Sequence, residues 1–232
     1  IASTVLNISS IGMLLVCLII FILAVPLTHL IAPGFSDAQT YETAMITRIM
    51  MLSPIIFTIS NVFSSVLISL KKFIIVNTAP LMYNLGIIFG IIFLYPRFGL
   101  DGLAYGVIFG ALMHLAIQIP EAYRHGFRWK PVIDLKDSGV RKIGALFLPR
   151  IVGLDSSYIN LIIVSIIGST LVTGSITAFT YANDIQAVAL GIFALSSAVA
   201  IFPVLSEFYA KNDTKGFVNS LQHTIIRVLY FI

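Results

Sequence analysis

The chain has 232 residues, of which 58% are hydrophobic and only 10% are charged, and its formal net charge is +4. Soluble domains carry about 25% charged residues, so this composition excludes a soluble protein. Backbone groups in lipid must be hydrogen-bonded within helices or closed barrels. The mean hydropathy of +1.01 therefore predicts an all-α fold, a polytopic transmembrane helix bundle.

Six apolar stretches are long enough to cross a bilayer, for which about 20 residues are needed. They are expected at residues 8–31, 45–70, 73–95, 100–123, 143–167 and 175–208. A further stretch begins near Phe217 and is not completed. The chain begins at Ile1 without Met and ends in a short apolar run. It is therefore interpreted as an internal fragment of a longer protein.

The basic residues alternate between the two sides of the predicted membrane. The connectors after the second, fourth and sixth stretches hold ten Lys and Arg, and the connectors on the other side hold one. By the positive-inside rule the first set is cytoplasmic, so the positive charge indicates topology and not nucleic-acid binding. The long connector 124–142 holds six basic residues. It is either a plain tether or a short amphipathic segment with a regulatory role.

Small residues recur at intervals of four in two neighbouring stretches. Gly86 and Gly90 form one such pair, and Gly102, Gly106 and Gly110 continue the pattern in the next stretch. Such spacing places small residues on one helix face and allows close approach of two helices in lipid. The pattern predicts a packed helix pair.

Three ionisable residues lie well inside predicted spans: Arg150, Asp155 and Asp184. A charge at the bilayer centre costs about 2.5–3.5 kcal/mol on insertion scales and usually faces a cavity or a partner. At about 1.5 Å per residue, Arg150 lies roughly 12 Å from the cytoplasmic side and Asp184 roughly 14 Å from the outer side. An ion pair between these two residues is therefore geometrically allowed.

Further polar residues accompany these charges. Asn183 and Gln186 flank Asp184, and Asn160 follows Arg150 in the same predicted span. Broken, polar helices of this kind surround the midplane sites of transporters, so a transport cavity is one interpretation. The alternative is a buried structural ion pair that fixes helix register. Arg48, near the outer end of its span, either snorkels to the interface or contacts substrate.

The sequence contains no paired-carboxylate motif, no Walker loop and no nucleophile with an adjacent base. An enzyme is therefore not expected. The single cysteine and the four scattered histidines lack the spacing of a metal site. No cofactor is expected, apart from a possible coupling ion of unspecified identity.

A series of motifs along the chain resembles the MurJ/MviN lipid II flippases. These motifs are APGF at 32–35, Arg48 with Pro54, SLKKF at 69–73, Ala79-Pro80 with Asn84-Leu85-Gly86, GLAYGVIFGALMHLAIQIP at 102–120, Pro149-Arg150 with Gly153, and the run 180–208 that begins TYANDIQ and ends FPVLSEF. They follow one another over essentially the whole chain.

The resemblance implies a transporter that moves lipid-linked peptidoglycan precursor across the bacterial inner membrane by alternating access between two lobes. Residues 1–123 would be four spans of the N-terminal lobe, 124–142 a cytoplasmic linker, and 143–232 the start of the C-terminal lobe. The implied partners are a lipid-linked oligosaccharide and membrane lipids. A monomer is expected.

The sequence departs from the family at one position. Many members carry Arg where this chain has Asp184, so the sign of the charge is reversed, and Arg150 is expected to supply the cation instead. Two alternatives remain open. One is a related polysaccharide-lipid exporter or drug/cation antiporter, with Asp155 and Asp184 coupling an ion. The other is a membrane scaffold without transport activity.

Overall fold

The computed structural model describes residues 1–152, 156–211 and 213–231, and in these ranges it is helical without strands. The predicted all-α fold is therefore confirmed. The described contacts divide the chain into two compact units, Ile1–Thr170 and Leu171–Ile232. The predicted lobe boundaries at 123 and 142 stay a prediction.

The first unit contains ten α-helices in its described residues. They are α1 (Ala2–Ile22), α2 (Ala24–Ile31), α3 (Asp37–Met50), α4 (Leu52–Ser69), α5 (Phe73–Phe89), α6 (Tyr95–Phe98), α7 (Leu100–Ala116), α8 (Gln118–Arg124), α9 (Ser138–Val152) and α10 (Ser156–Ser169). A π-helical segment, Gly90–Leu94, joins α5 to α6. The second unit contains α11 (Ser175–Ala189), a π-helical segment (Leu190–Leu195), α12 (Ser196–Ala210) and α13 (Thr214–Phe231).

Five continuous helical stretches in the described residues are long and apolar enough to cross a membrane. They are Ala2–Ile22, Asp37–Ser69, Phe73–Phe98, Leu100–Arg124 and Ser175–Ala210. Each corresponds to one predicted span. The remaining span, 143–167, crosses residues 153–155, which lie outside the described residues, and its continuity stays a prediction.

Two helix boundaries differ from the predicted spans for identifiable reasons. The first predicted span divides at Leu23 into α1 and α2, near Pro26, which has no N–H to donate to the preceding turn. The second helical stretch begins eight residues before the predicted span, at Asp37. Its start is a capping box in which Gln39 N donates to Ser36 Oγ and Ser36 N donates to Gln39 Oε1. Hydropathy alone misses this polar first turn.

The glycines of α5 and α7 form the closely packed helix pair that their spacing predicts. A Cβ atom on Gly106 would lie 2.6 Å from the Cα of Gly90, and one on Gly86 would overlap the backbone of Gly110. The two backbones are thus in direct contact. Dispersion contacts of this kind hold helices together in lipid, where no hydrophobic driving force acts between them.

A contact between a connector and a helix marks each of the two ends of the first unit. At one end, Gly34 N donates to Ser169 Oγ at 3.1 Å. At the other, the Lys72 ammonium lies 3.7 Å from the Glu121 carboxylate. The 33-residue stretch Asp37–Ser69 runs from the first end to the second, roughly 50 Å at 1.5 Å per residue.

The connector that follows α8 is extended and docked on the first turns of α1. Asn7 Nδ2 donates to the carbonyls of Lys130 at 2.9 Å and Val132 at 3.0 Å, and Asn7 Oδ1 accepts from Trp129 Nε1 at 2.9 Å. Ser3 Oγ donates to the Arg128 carbonyl and accepts from Lys130 N. This part of the connector is therefore not helical, and it is held in place on α1 by hydrogen bonds. It is not a loose tether.

Replacing Gly106 with Leu tests the packing of α5 on α7. The added side chain enters the Gly90 backbone, and we expect a loss of about 1–3 kcal/mol, as for other overpacked sites. The midpoint of thermal unfolding is measured in detergent, where the loss of the monodisperse peak on size-exclusion chromatography reports unfolding. Gly12→Leu in α1 is the matched control, because a Cβ there meets nothing within 4 Å. Equal midpoints for the two variants would contradict this packing.

Replacing Asn7 with Ala tests the docking of the connector. Three hydrogen bonds are lost, each with a net value of about 0.5–1.5 kcal/mol, so the connector should loosen around Trp129 while the Ser3 bonds remain. Trp129, the only tryptophan of the chain, should then emit at longer wavelength, and trypsin should cleave faster after Arg128, since Lys130 is followed by Pro131. Asn84→Ala, at an exposed position of α5, should change neither measurement. An unchanged spectrum and cleavage rate for Asn7→Ala would show that these bonds do not hold the connector.

Candidate functional site

The second unit presents a polar stripe on α11. Residues three and four apart share one face of a helix, and this spacing groups Thr177, Thr180, Asn183 and Asp184, with Gln186 beside them. The side chains of Asn183, Asp184 and Gln186 are exposed. Asp184 has no ion pair within the part of the chain that the structure describes. The stripe is therefore open for a ligand or a neighbouring helix.

Two backbone irregularities follow this stripe in the same apolar stretch. The π-helical segment Leu190–Leu195 separates α11 from α12, and Pro203 lies inside α12. Single π turns occur frequently at functional sites, and an internal proline removes one helix hydrogen bond. The helix that carries the stripe therefore has two points at which it bends easily.

The first unit holds Arg48 in the last turn of α3. Its Nε donates to the Phe21 carbonyl at 3.1 Å, and its Nη1 lies 3.5 Å from Met45 Sδ. The guanidinium carbon lies 5.5 Å from the centroid of the Phe21 ring. The backbone carbonyl and the aromatic face together hold this cation at the side of α1.

Arg48 lines a cavity of about 690 Å³ between α1, α3, α4 and α7. Its lining residues are Leu14, Cys17, Leu18, Phe21, Met45, Arg48, Ile49, Met51, Leu52, Ile55, Tyr105 and Ile108. Among them Arg48 carries the charge, and the remainder of the surface is almost entirely apolar. This arrangement suits an amphiphile with one anionic group.

The other predicted site residues are placed less completely. Arg150 lies in α9, but its side chain is outside the described part of the structure, and Asp155 lies outside the described residues altogether. Asn160 is exposed on α10. The predicted pair of Arg150 and Asp184 and the predicted cavity around them therefore stay predictions.

Sequence reasoning missed a buried polar network between α4 and the α7–α8 region. Ser60 Oγ lies 2.7 Å from His114 Nδ1 and accepts from Gln118 Nε2 at 2.8 Å, while Ser64 Oγ donates to Gln118 Oε1 at 2.7 Å. Ser60 and Gln118 are completely buried. A signal existed, because residues 60 and 64 and residues 114 and 118 share the same spacing of four. The network fastens helices and is closed to solvent.

The apolar helices define a multi-pass helical membrane protein, and the polar stripe on α11 is the type of feature from which membrane transporters build sites. A model of the family described as lipid II flippase MurJ matches residues 1–232. The chain therefore belongs to the MurJ family and is a multi-pass protein of the bacterial inner membrane. This confirms the resemblance found in the sequence motifs.

Individual relatives agree with this assignment. A probable lipid II flippase MurJ of Borreliella burgdorferi is 31% identical over 201 residues, which cover 87% of this chain and 39% of that protein. A probable lipid II flippase MurJ of Haemophilus influenzae is 30% identical over 180 residues, which cover 76% of this chain and 35% of that protein. A probable lipid II flippase MurJ of Vibrio cholerae is 32% identical over 168 residues, which cover 72% of this chain and 32% of that protein. The matched region thus spans 32% to 39% of the length of these relatives.

Proposed function

We propose that the chain takes part in flipping lipid II across the inner membrane by alternating access. The observation that carries this proposal is the family match over residues 1–232, together with an open polar stripe on an otherwise apolar helix. The relatives are named lipid II flippases. A transport role agrees with a site that offers hydrogen-bonding groups.

The stripe on α11 is the proposed substrate-facing surface. Asp184 lies nine residues after Ser175, roughly 14 Å along the helix, which is near the middle of a hydrocarbon core about 30 Å thick. Asn183 and Thr180 supply neutral hydrogen-bonding groups there. A carboxylate at this depth needs a compensating positive charge, and we assign that role to Arg150 or to a coupling cation. Asp155 and Asn160 are proposed to belong to the same site.

The flexible points after the stripe are proposed to serve the conformational change. Alternating access moves helices around a fixed midplane site. The π-helical segment Leu190–Leu195 and Pro203 allow α12 to reorient while the hydrogen bonding of α11 stays intact. Helix-breaking features of this type are tolerated in membranes where neighbouring groups satisfy the freed backbone.

The proposed orientation puts the end that carries Lys72 and Glu121 in the cytoplasm. Three basic connectors belong to the predicted cytoplasmic set, and the docked connector after α8 is one of them. The end at which Gly34 meets Ser169 would face outwards. We further propose that the transporter works as a monomer, without a cofactor beyond a coupling ion.

A chimera tests the proposed activity. Residues 1–232 replace the matching region of the Haemophilus influenzae relative, and the chimera is expressed in a strain depleted of its own lipid II flippase. We expect growth to be restored and lipid II to become accessible at the outer face, measured with an externally added lipid II-cleaving toxin. A chimera that inserts at wild-type levels, yet leaves lipid II inaccessible, would contradict the proposal.

Substitutions in the same chimera test the site. Arg150→Ala should abolish growth because the anionic head group loses its cation, and Asp184→Ala should reduce the rate of lipid II exposure at least tenfold if the lost interaction is worth about 1.4 kcal/mol. Arg97→Ala, which removes an arginine from the short α6, is the control and should leave transport unchanged. Normal lipid II exposure with well-expressed Arg150→Ala and Asp184→Ala would remove both residues from the site.

A further inference from the structure

We propose that the cavity around Arg48 binds one anionic phospholipid, with its phosphate on the Arg48 guanidinium and one acyl chain in the apolar slot below. The proposal concerns a bilayer lipid bound at the side of the first unit. It does not depend on the proposed transport activity, because it rests on the contacts of Arg48 and the shape of the cavity.

The guanidinium of Arg48 has N–H donors that form no hydrogen bond in the described residues. An arginine carries five N–H donors in a planar fork. One of them, on Nε, is used by the Phe21 carbonyl, and Nη1 meets only the weak acceptor Met45 Sδ. In the part of the chain that the structure describes, no carboxylate lies within ion-pair distance of Arg48. A half-buried cation without an anion is costly, and a phosphate fits the free donors of the fork.

The depth of Arg48 matches the level of lipid phosphates. The helical stretch that carries Arg48 ends at Ser69, 21 residues further on, which is about 32 Å of helix, and Lys71 and Lys72 lie in the turn that follows. The hydrocarbon core is about 30 Å thick. When Lys72 lies at one interface, Arg48 lies at the headgroup level of the other.

The apolar part of the cavity extends from Arg48 towards the middle of the membrane. Leu14 precedes Phe21 by seven residues on α1, and Ile55 follows Arg48 by seven residues across the junction of α3 and α4. Each offset corresponds to about 10 Å of helix. The slot therefore follows the direction of an acyl chain. Its volume of about 690 Å³ lies within the usual range for small-molecule sites.

The slot is open on its outer side. Leu18 is 51% exposed and Leu52 is 54% exposed, although both line the cavity. In a bilayer these side chains face lipid, so a phospholipid enters laterally without leaving the membrane. One guanidinium next to an apolar slot fits a single phosphate diester, and it favours a diester without a neighbouring ammonium, because like charges repel. A pyrophosphate that carries a bulky saccharide needs more donors than this cavity offers.

Native mass spectrometry of the purified chain tests the proposal. The protein is titrated with phosphatidylglycerol and, separately, with zwitterionic phosphatidylethanolamine. We expect one phosphatidylglycerol to be retained preferentially. Arg48→Gln should lower its retention about tenfold, the factor that corresponds to the loss of a charge-assisted hydrogen bond, and should bring it to the level of phosphatidylethanolamine. Arg97→Gln is the matched control and should retain phosphatidylglycerol as the unmodified chain does.

A second experiment locates the lipid. Phosphatidylglycerol with a photoreactive diazirine in its acyl chain should crosslink to the segments 14–21 and 45–55, and Arg48→Gln should abolish that crosslinking. If Arg48→Gln does not fold, Arg48→Lys keeps the charge without the planar fork and should retain an intermediate amount of lipid. The proposal is overturned if the two lipids are retained equally, if Arg97→Gln has the same effect as Arg48→Gln, or if an undecaprenyl pyrophosphate lipid displaces phosphatidylglycerol from the site.

Discussion

Backbone polar groups in the hydrocarbon layer must be hydrogen-bonded within the protein, and this constraint shapes the whole chain. Ser60, His114 and Gln118 satisfy one another between α4 and the α7–α8 region. Arg48 uses the carbonyl of Phe21 in the same way. Between α5 and α7, glycines allow the two backbones to come into contact. The helices are thus held by a few polar contacts and by close packing.

The sequence was sufficient for the features that depend on hydropathy and spacing. The all-α architecture and the close packing of the glycine-bearing helices could be predicted, because apolar length and small-residue periodicity are local properties. The start of the second stretch at Asp37 could not, since its capping box consists of polar residues that hydropathy does not count. The docking of the connector on α1 depends on a hydrogen bond between Asn7 and Lys130, which are 123 residues apart. No pattern within a short stretch of sequence indicates such a contact.

The candidate sites also differ in how far the sequence predicts them. Asp184 and its neighbours were found because a charge in an apolar run is conspicuous, and their common face follows from helical spacing alone. The cavity at Arg48 combines four helices, so its apolar lining is indistinguishable in the sequence from ordinary lipid-facing residues. The Ser60–His114–Gln118 network was missed for the opposite reason. Its members, Ser, His and Gln, are isolated polar residues in the sequence, and they meet only when α4 and the α7–α8 region lie side by side.

The connector after α8 is held mainly through its backbone. Asn7 and Ser3 bind the carbonyls of Arg128, Lys130 and Val132. Of the connector side chains, the Trp129 indole adds a hydrogen bond to Asn7 and the Phe127 ring packs on the cluster that contains Leu6. The Lys130 side chain is exposed and has no part in these bonds. Selection for membrane topology can therefore raise, lower or redistribute the charge of this segment across related proteins while its position on α1 stays the same.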